Sequence, residues 1–266
     1  MLVPTRGQHR EERSLSDSAL RALGILERVS SADAGLTAGD VARDLNLSRA
    51  TVSRLLAALV HDGWLVASGS PRRYTPAFRI LTAASGVLRQ HPVRELVRPW
   101  LSELAERVEL PCMLAFYERD HVVVTDVCEV ISGRVMLRFV GQAFPIATTA
   151  PGKTFLGFLA EEDRQRLAEI EACKPGATTT VPDLLTEASL TRERGYALAD
   201  RSFRADASGL GVPVIARGGA IVAALVVATL GPLTDTFIET VAPLAVGVAA
   251  RASLALGYQQ VDGFLP

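Results

Sequence analysis

The sequence predicts an α+β protein in two parts: an N-terminal winged helix-turn-helix, then a linker helix leading into a larger domain built on an antiparallel sheet. Three observations carry that prediction. Two helical stretches separated by a tight break are followed by a short hairpin with an Arg-Arg pair at its tip. The second half groups its strands as hairpins rather than as alternating βαβ units. The 266 residues, 48% of them apolar, are enough for two modest cores.

Residues 1–14 read as a polar arm and 15–76 as the first domain. In "SDSALRALGILERVSS", Ala19, Ala22, Leu23, Ile25, Leu26 and Val29 recur at helical spacing after a Ser/Asp start suited to capping. A short helix is expected over 37–45 and a longer one over 48–61. Asn46 between them is one of the few non-glycine residues that accept a left-handed backbone, so it can make a sharp turn. On the longer helix Val52, Leu55, Leu56 and Leu59 form an apolar face, which directs Ser48, Arg49, Thr51, Ser53 and Arg54 elsewhere. Two short strands then flank "SGSP", with Arg72 and Arg73 at the tip of the hairpin.

This arrangement suits double-stranded DNA. A helix in the major groove offers its N-terminal residues to base edges, where Arg matches guanine bidentately and hydroxyls hold phosphates. Basic residues on a wing add phosphate or minor-groove contacts. The first 80 residues hold eleven arginines against eight acids in a chain of net charge −1, so the positive excess lies at this end.

A helical linker is expected over 77–91 and the second domain over 92–266. Pro99 inside "VRELVRPWLSELAERVEL" suggests a kink or two abutting helices. Next come a hairpin joined at residues 118–121, a third strand in 133–146, and helices from near Gly152 through 196. A hairpin turning at Gly218 and Gly219 and a last helix over 235–256 complete the order. No stretch offers a membrane span of roughly 20 clean apolar residues, and the charged N-terminus lacks the pattern of a secretory signal.

Residues 147–154, "ATTAPGKT", fit the relaxed phosphate-loop pattern. The pattern needs a buried strand feeding a nest of amides in a parallel setting, whereas here Pro151 removes an amide and the surrounding strands pair as hairpins. A P-loop nucleotide-binding protein is therefore the least favoured reading. Cys112, Cys128 and Cys173 show neither disulfide nor zinc spacing and suggest a reducing, cytoplasmic setting. The four histidines show no triad or metal spacing and read as surface or strand-end residues. There is no Gly-x-Ser-x-Gly elbow, so neither an enzyme nor a cofactor is expected.

The run "LTAGDVARDLNLSRATVSRLLAALVHDGWLV" followed by "RRYTP" resembles the DNA-binding domain of IclR-type bacterial transcriptional regulators. "FPIATTAPGKTFLGFL", "RERGYALAD" and "GVPVIARGGAIVAALVVA" resemble pieces of the same family's effector domain, so the likeness runs from about residue 15 to 256. It implies a GAF-like sensor domain that binds a small molecule and resets a homodimer or homotetramer on operator DNA.

For the effector, the free amides at the helix start near Thr149, Ala150 and Gly152 are a natural seat for a carboxylate. Gly152 and Lys153 in the same motif also read as merely closing a helix start, with Lys153 solvated. The resemblance adds Asp200, just beyond the Gly-Tyr pair, which reads equally as a turn or strand-end residue. Where family members often carry Cys, Ser or Asn, this chain has Gly209, Val226 and Ala228. An apolar wall does not suit a small, highly polar acid, because unpaired polar groups are costly to bury. The expected effector is therefore an aromatic or similarly bulky acid, its carboxylate at the 149–152 amides or Arg201 and its ring near Phe203, Val226 and Ala228. The alternative is a ligand-independent DNA-binding repressor whose pocket has closed.

Overall fold

The computed structural model describes residues 6–129 and 140–259, with side chains from Asp17 onward. The chain divides into two compact units, Met1–Gln90 and His91–Pro266.

The first unit runs α1 (Arg6–Ser30), α2 (Ala38–Asp44), α3 (Arg49–His61), β1 (Leu65–Ser68), β2 (Arg73–Pro76) and α4 (Arg79–Arg89). Helix α1 begins at Arg6, inside the stretch read as an arm. The sequence there is rich in Arg, Glu and Gln, which lose little side-chain freedom in a helix. Helix α2 opens on a capping box. The Thr37 hydroxyl accepts from the Asp40 N–H, and the Asp40 carboxylate accepts from the Thr37 N–H at 3.1 Å. Asn46 has φ 51°, the left-handed turn its side chain tolerates, and this turn sets α2 against α3. Ile25, Val29, Val41, Val52, Leu56, Leu65 and Tyr74 are buried together as the core.

β1 and β2 pair antiparallel from Leu65↔Pro76 to Ser68↔Arg73, and Leu36 bridges Tyr74 from the other side. Arg79, at the start of α4, donates to the Asp62 carbonyl and lies over the Trp64 ring. Helix α4 falls within the expected linker and belongs to this unit.

The second unit runs α5 (Pro92–Val108), β3 (Cys112–Glu118), β4 (His121–Cys128), β5 (Ala143–Pro145), α6 (Ala150–Phe158), α7 (Glu161–Ala172), α8 (Val181–Arg194), β6 (Ala197–Arg204), β7 (Ala207–Ile215), β8 (Ile221–Leu230) and α9 (Asp235–Ala255). The six strands form one antiparallel sheet in the order β5-β4-β3-β8-β7-β6. The hairpin β7–β8 turns through Arg217, Gly218 and Gly219, where the Gly219 N–H bonds the Ala216 carbonyl and the two glycines take φ values of 94° and 84°.

Helices α5 and α9 cover one face, burying Leu101, Leu104, Leu114, Leu210, Val212, Leu225, Ala245 and Val248. Helices α6, α7 and α8 cover the other, around Phe155, Leu156, Leu167, Leu184 and Val226. The strand pairing excludes the parallel setting that a phosphate loop requires.

Four expectations change. Pro99 lies inside a single α5, which neither ends nor divides there. Of the third strand expected in 133–146, residues 133–139 lie outside the described residues and 143–145 form β5. Strand β6 had no counterpart in the sequence reading. Helix α9 is long and apolar enough to cross a bilayer by length and composition, but Val241, Ala242, Ala245, Val248, Ala249 and Ala252 are buried in the core formed on the sheet.

Candidate nucleic-acid interface and effector pocket

In the first unit the α2–α3 corner is rigid at both ends. Ser48 caps α3: its hydroxyl accepts from the Thr51 N–H at 3.2 Å and donates to the Thr51 hydroxyl at 2.9 Å. Both hydroxyls are therefore tied to one another, a structural duty the sequence reading did not assign. Arg49, Ser53 and Arg54 are exposed, Arg54 on the side of α3 away from the buried Val52 and Leu56 and the other two flanking that stripe, and no ion pair engages either arginine among the described residues.

Ala50 and Ala57 are exposed on the same helix and were missed by sequence reasoning. Their small side chains leave the helix surface free to approach a groove closely, and Ala can touch a thymine methyl. An alanine outside the apolar stripe was the available signal.

The wing separates its two arginines. Arg72 is exposed in the turn, its guanidinium 5.7 Å from the Tyr74 ring centroid. Arg73 instead opens β2, and its Nη1 donates to the Gly35 carbonyl at 2.9 Å. The expectation of two arginines free at the tip is thus corrected to one. The register Ser68↔Arg73 places Arg73 in the ladder, within reach of the loop after α1.

In the second unit a cavity of about 70 Å³ lies on the α6 side of the sheet. Register explains its position. Ala199 pairs with Gly209 and Gly209 with Ala228, so three small residues on adjacent strands make one shallow rung. Two residues on, Gly211 lets β7 approach α6; a Cβ there would stand 2.3 Å from the Thr154 Oγ1 and 2.9 Å from the Ala150 carbonyl oxygen. Met113, Phe144, Phe203 and Val226 supply the apolar walls, and Phe203 meets Phe144 edge-on at 5.4 Å between centroids. Thr149, Ala150, Phe203, Gly209, Val226 and Ala228, expected at the site, all line this cavity.

Gly152, Asp200 and Arg201 do not line it, each for a physical reason. The Gly152 N–H is engaged by the Thr149 hydroxyl at 3.2 Å, and that hydroxyl donates to the Pro145 carbonyl at 2.6 Å. Pro151 has no N–H and the Lys153 N–H bonds the Thr149 carbonyl, which leaves the amides of Thr149 and Ala150. Asp200 is a structural acceptor. It takes the Leu233 N–H at 3.0 Å and lies 3.0 Å from the Ser208 hydroxyl, and these donors with Arg201 hold its carboxyl below the ordinary range. Arg201 has φ 45° within a register irregularity of β6, and its guanidinium turns back onto Asp200.

Arg204 is the cation that lines the cavity instead. Its Nε and Nη2 donate to the two carboxylate oxygens of Asp206 at 3.0 and 2.9 Å. Each shifts the other: Arg204 is raised by Asp206, and Asp206 is lowered by Arg204. Thr148 and Ser208 also line the cavity. The Ser208 hydroxyl accepts from the Arg201 N–H at 3.1 Å, and its single proton is shared between the Gly231 carbonyl at 2.6 Å and the Asp200 carboxylate at 3.0 Å.

Lys153 is not solvated as expected; its side chain is largely buried and its Nζ donates to the Leu198 carbonyl at 3.0 Å, tying α6 to β6. The histidines are dispersed. His61 and His121 lie beside Asp62 and Asp120, and His91 precedes α5 with its ring 4.3 Å from Phe116, packed rather than on a free surface. His9 lies outside the side chains described.

Both units are similar to known proteins. Residues 18–69 match the IclR helix-turn-helix domain and residues 85–236 the bacterial transcriptional regulator IclR C-terminal domain. The HTH-type transcriptional regulator XynR of Escherichia coli is 24% identical over 221 residues, covering 82% of this chain and 88% of that protein. An IclR transcriptional regulator structure from Alicyclobacillus acidocaldarius superposes with a TM-score of 0.74 at 21% identity, covering 91% and 99% of the two chains. An IclR homologue from Microbacterium hydrocarbonoxydans, solved in complex with 4-hydroxybenzoate, superposes with a TM-score of 0.68 at 22% identity, covering 90% and 99%. With both family domains matched in order and the two sites standing where those domains fold, the chain belongs to the IclR family of bacterial transcriptional regulators.

Proposed function

We propose that this regulator binds operator DNA through α3 and the wing, and that a single-ring aromatic acid in the α6-side cavity modulates that binding. The observation that carries the reading is the cavity's make-up: apolar walls from Met113, Phe144, Phe203 and Val226, with one cationic residue, Arg204, on its lining. Its size is consistent. About 70 Å³ is small beside the roughly 150 Å³ cavity known to take a benzene, so a ring seated here keeps one edge at the mouth. The carboxylate then meets Arg204 and the Ala150 N–H, and the ring lies against Phe203, Val226 and Ala228. An aromatic acid bound by a structural neighbour supports the class. A cavity that has not collapsed favours this reading over a ligand-independent repressor.

The regulator acts in the cytoplasm, on DNA, as a homodimer or homotetramer. Recognition of two half-sites about 34 Å apart, or a multiple of that, requires two copies of α3. Helix α4 supplies a candidate contact. It buries no residue, and Leu81 and Val87 on it are 63% and 66% exposed.

Calorimetry decides the effector class. Benzoate-type acids are expected to bind, their neutral amides to bind far more weakly, and short aliphatic acids not at all. Tight binding of only the small polar acids overturns the proposal.

A further inference from the structure

The sheet sets two cysteines against each other across one rung. Cys112 opens β3, Cys128 closes β4, and the ladder pairs them directly. Both point to the α5–α9 side: Cys112 belongs to that core and Cys128 packs against it. Opposed residues of an antiparallel pair have Cα atoms about 4.5–5.5 Å apart, within the roughly 4.4–6.8 Å that a disulfide spans. Their access to solvent differs. Cys112 is 0% exposed, with its thiol 3.5 Å from the Leu110 carbonyl, whereas Cys128 is only partly buried. Burial, with Cys128 beside it, raises the Cys112 thiol above its ordinary range and keeps it protonated. The third cysteine, Cys173, is exposed at the end of α7 on the other side of the sheet.

We propose that Cys112 and Cys128 form an oxidisable dithiol, in which hydrogen peroxide attacks at Cys128 and Cys112 resolves the product as an intrachain disulfide. In the first step the Cys128 thiolate attacks one peroxide oxygen, the O–O bond breaks, and proton uptake gives a Cys128 sulfenic acid and one water. In the second, the Cys112 sulfur attacks the Cys128 sulfur and the S–O bond breaks. The departing hydroxide leaves with the Cys112 proton as a second water. Two thiols are oxidised by two electrons, and the peroxide is reduced to two waters. The link staples β3 to β4 on the rung next to Met113, whose side chain lines the ligand cavity from the opposite face.

The test uses the full chain carrying Cys173→Ser, so that the exposed thiol does not contribute. After hydrogen peroxide treatment under native conditions, alkylation and non-reducing digestion, both remaining thiols are expected to be lost. One peptide pair should be joined through Cys112 and Cys128, and dithiothreitol should restore both thiols. In a further Cys112→Ser variant the sulfenic acid on Cys128 should persist and be trapped by dimedone. The Cys173→Ser peptide map stands on its own should that variant fail to fold. Recovery of Cys112 as a free thiol beside a sulfinic or sulfonic Cys128, or linkage of Cys128 only between chains, overturns the proposal.

Discussion

Arg204, one of the residues lining the cavity, grips both carboxylate oxygens of Asp206, at 3.0 and 2.9 Å. The carboxylate of Asp206 thus sits where an effector carboxylate would compete for the same fork. Both side chains are more than half exposed, so the pair is screened and easily exchanged. Asp206→Asn is expected to tighten binding of an aromatic acid, and Arg204→Ala to weaken it by about fivefold, the scale of a solvent-exposed charged contact. Calorimetry on the two variants checks this; equal affinities in both would remove Arg204 from the site.

Much of this was legible in the sequence, and the failures have local causes. Caps, turn residues and apolar periodicity marked α2, α3, β3, β4, β7, β8 and α9. Strand β6 escaped because "ALADRSFR" breaks into charged residues after its first three, as suits an edge strand whose last five residues are exposed. Arg201 and not Arg204 was expected in the pocket, without a strand having been read there to set the alternation of side chains. The irregularity between Ala199 and Arg204, with Arg201 at φ 45°, breaks that alternation and re-aims both side chains. The small rung Ala199–Gly209–Ala228 depends on strand register, which no single segment encodes.

The two wing arginines should separate by experiment. Arg73→Ala removes a bond to the Gly35 carbonyl and is expected to lower stability by about 1 kcal/mol. Arg72→Ala should leave stability unchanged while reducing the salt slope of DNA binding by about 1. Arg49→Ala and Arg54→Ala should cost about 1–3 kcal/mol of discrimination between operator and mismatched sites. Urea melts and binding titrations at several salt concentrations read all four. Unchanged operator selectivity in both α3 variants would displace the reading head from this helix.

Gly152 serves close packing rather than ligand binding. A Cβ there would stand 2.4 Å from the Ile146 Cα and 2.6 Å from the Pro145 carbonyl oxygen, both backbone atoms that cannot swing aside. Gly152→Ala is therefore expected to destabilise the second unit by about 3 kcal/mol or more. Gly24 in α1 has no heavy atom within 4 Å of the same construction, so Gly24→Ala should stabilise the first unit by up to about 1 kcal/mol. Denaturant unfolding of the two variants measures both signs, and a neutral Gly152→Ala would contradict the packing described.

Acid should act on the first unit through Asp40. The Thr37 hydroxyl, donating at 2.7 Å, lowers the Asp40 carboxyl most, and Arg43 and the Thr37 N–H add to it, bringing it to about 2 from an ordinary 3.8. A carboxyl depressed in the folded state binds its proton more readily once unfolded. Its contribution to stability is therefore complete above about pH 4 and disappears as pH falls from there toward about 2. Asp40→Asn should be less stable than the parent at neutral pH, with the gap closing between about pH 4 and pH 2. Trp64 lies in the first unit and Trp100 in the second, so a Trp100→Phe background lets Trp64 fluorescence report this unit alone. Parallel acid limbs for parent and Asp40→Asn would show that the α2 capping box does not set the acid sensitivity of the winged helix.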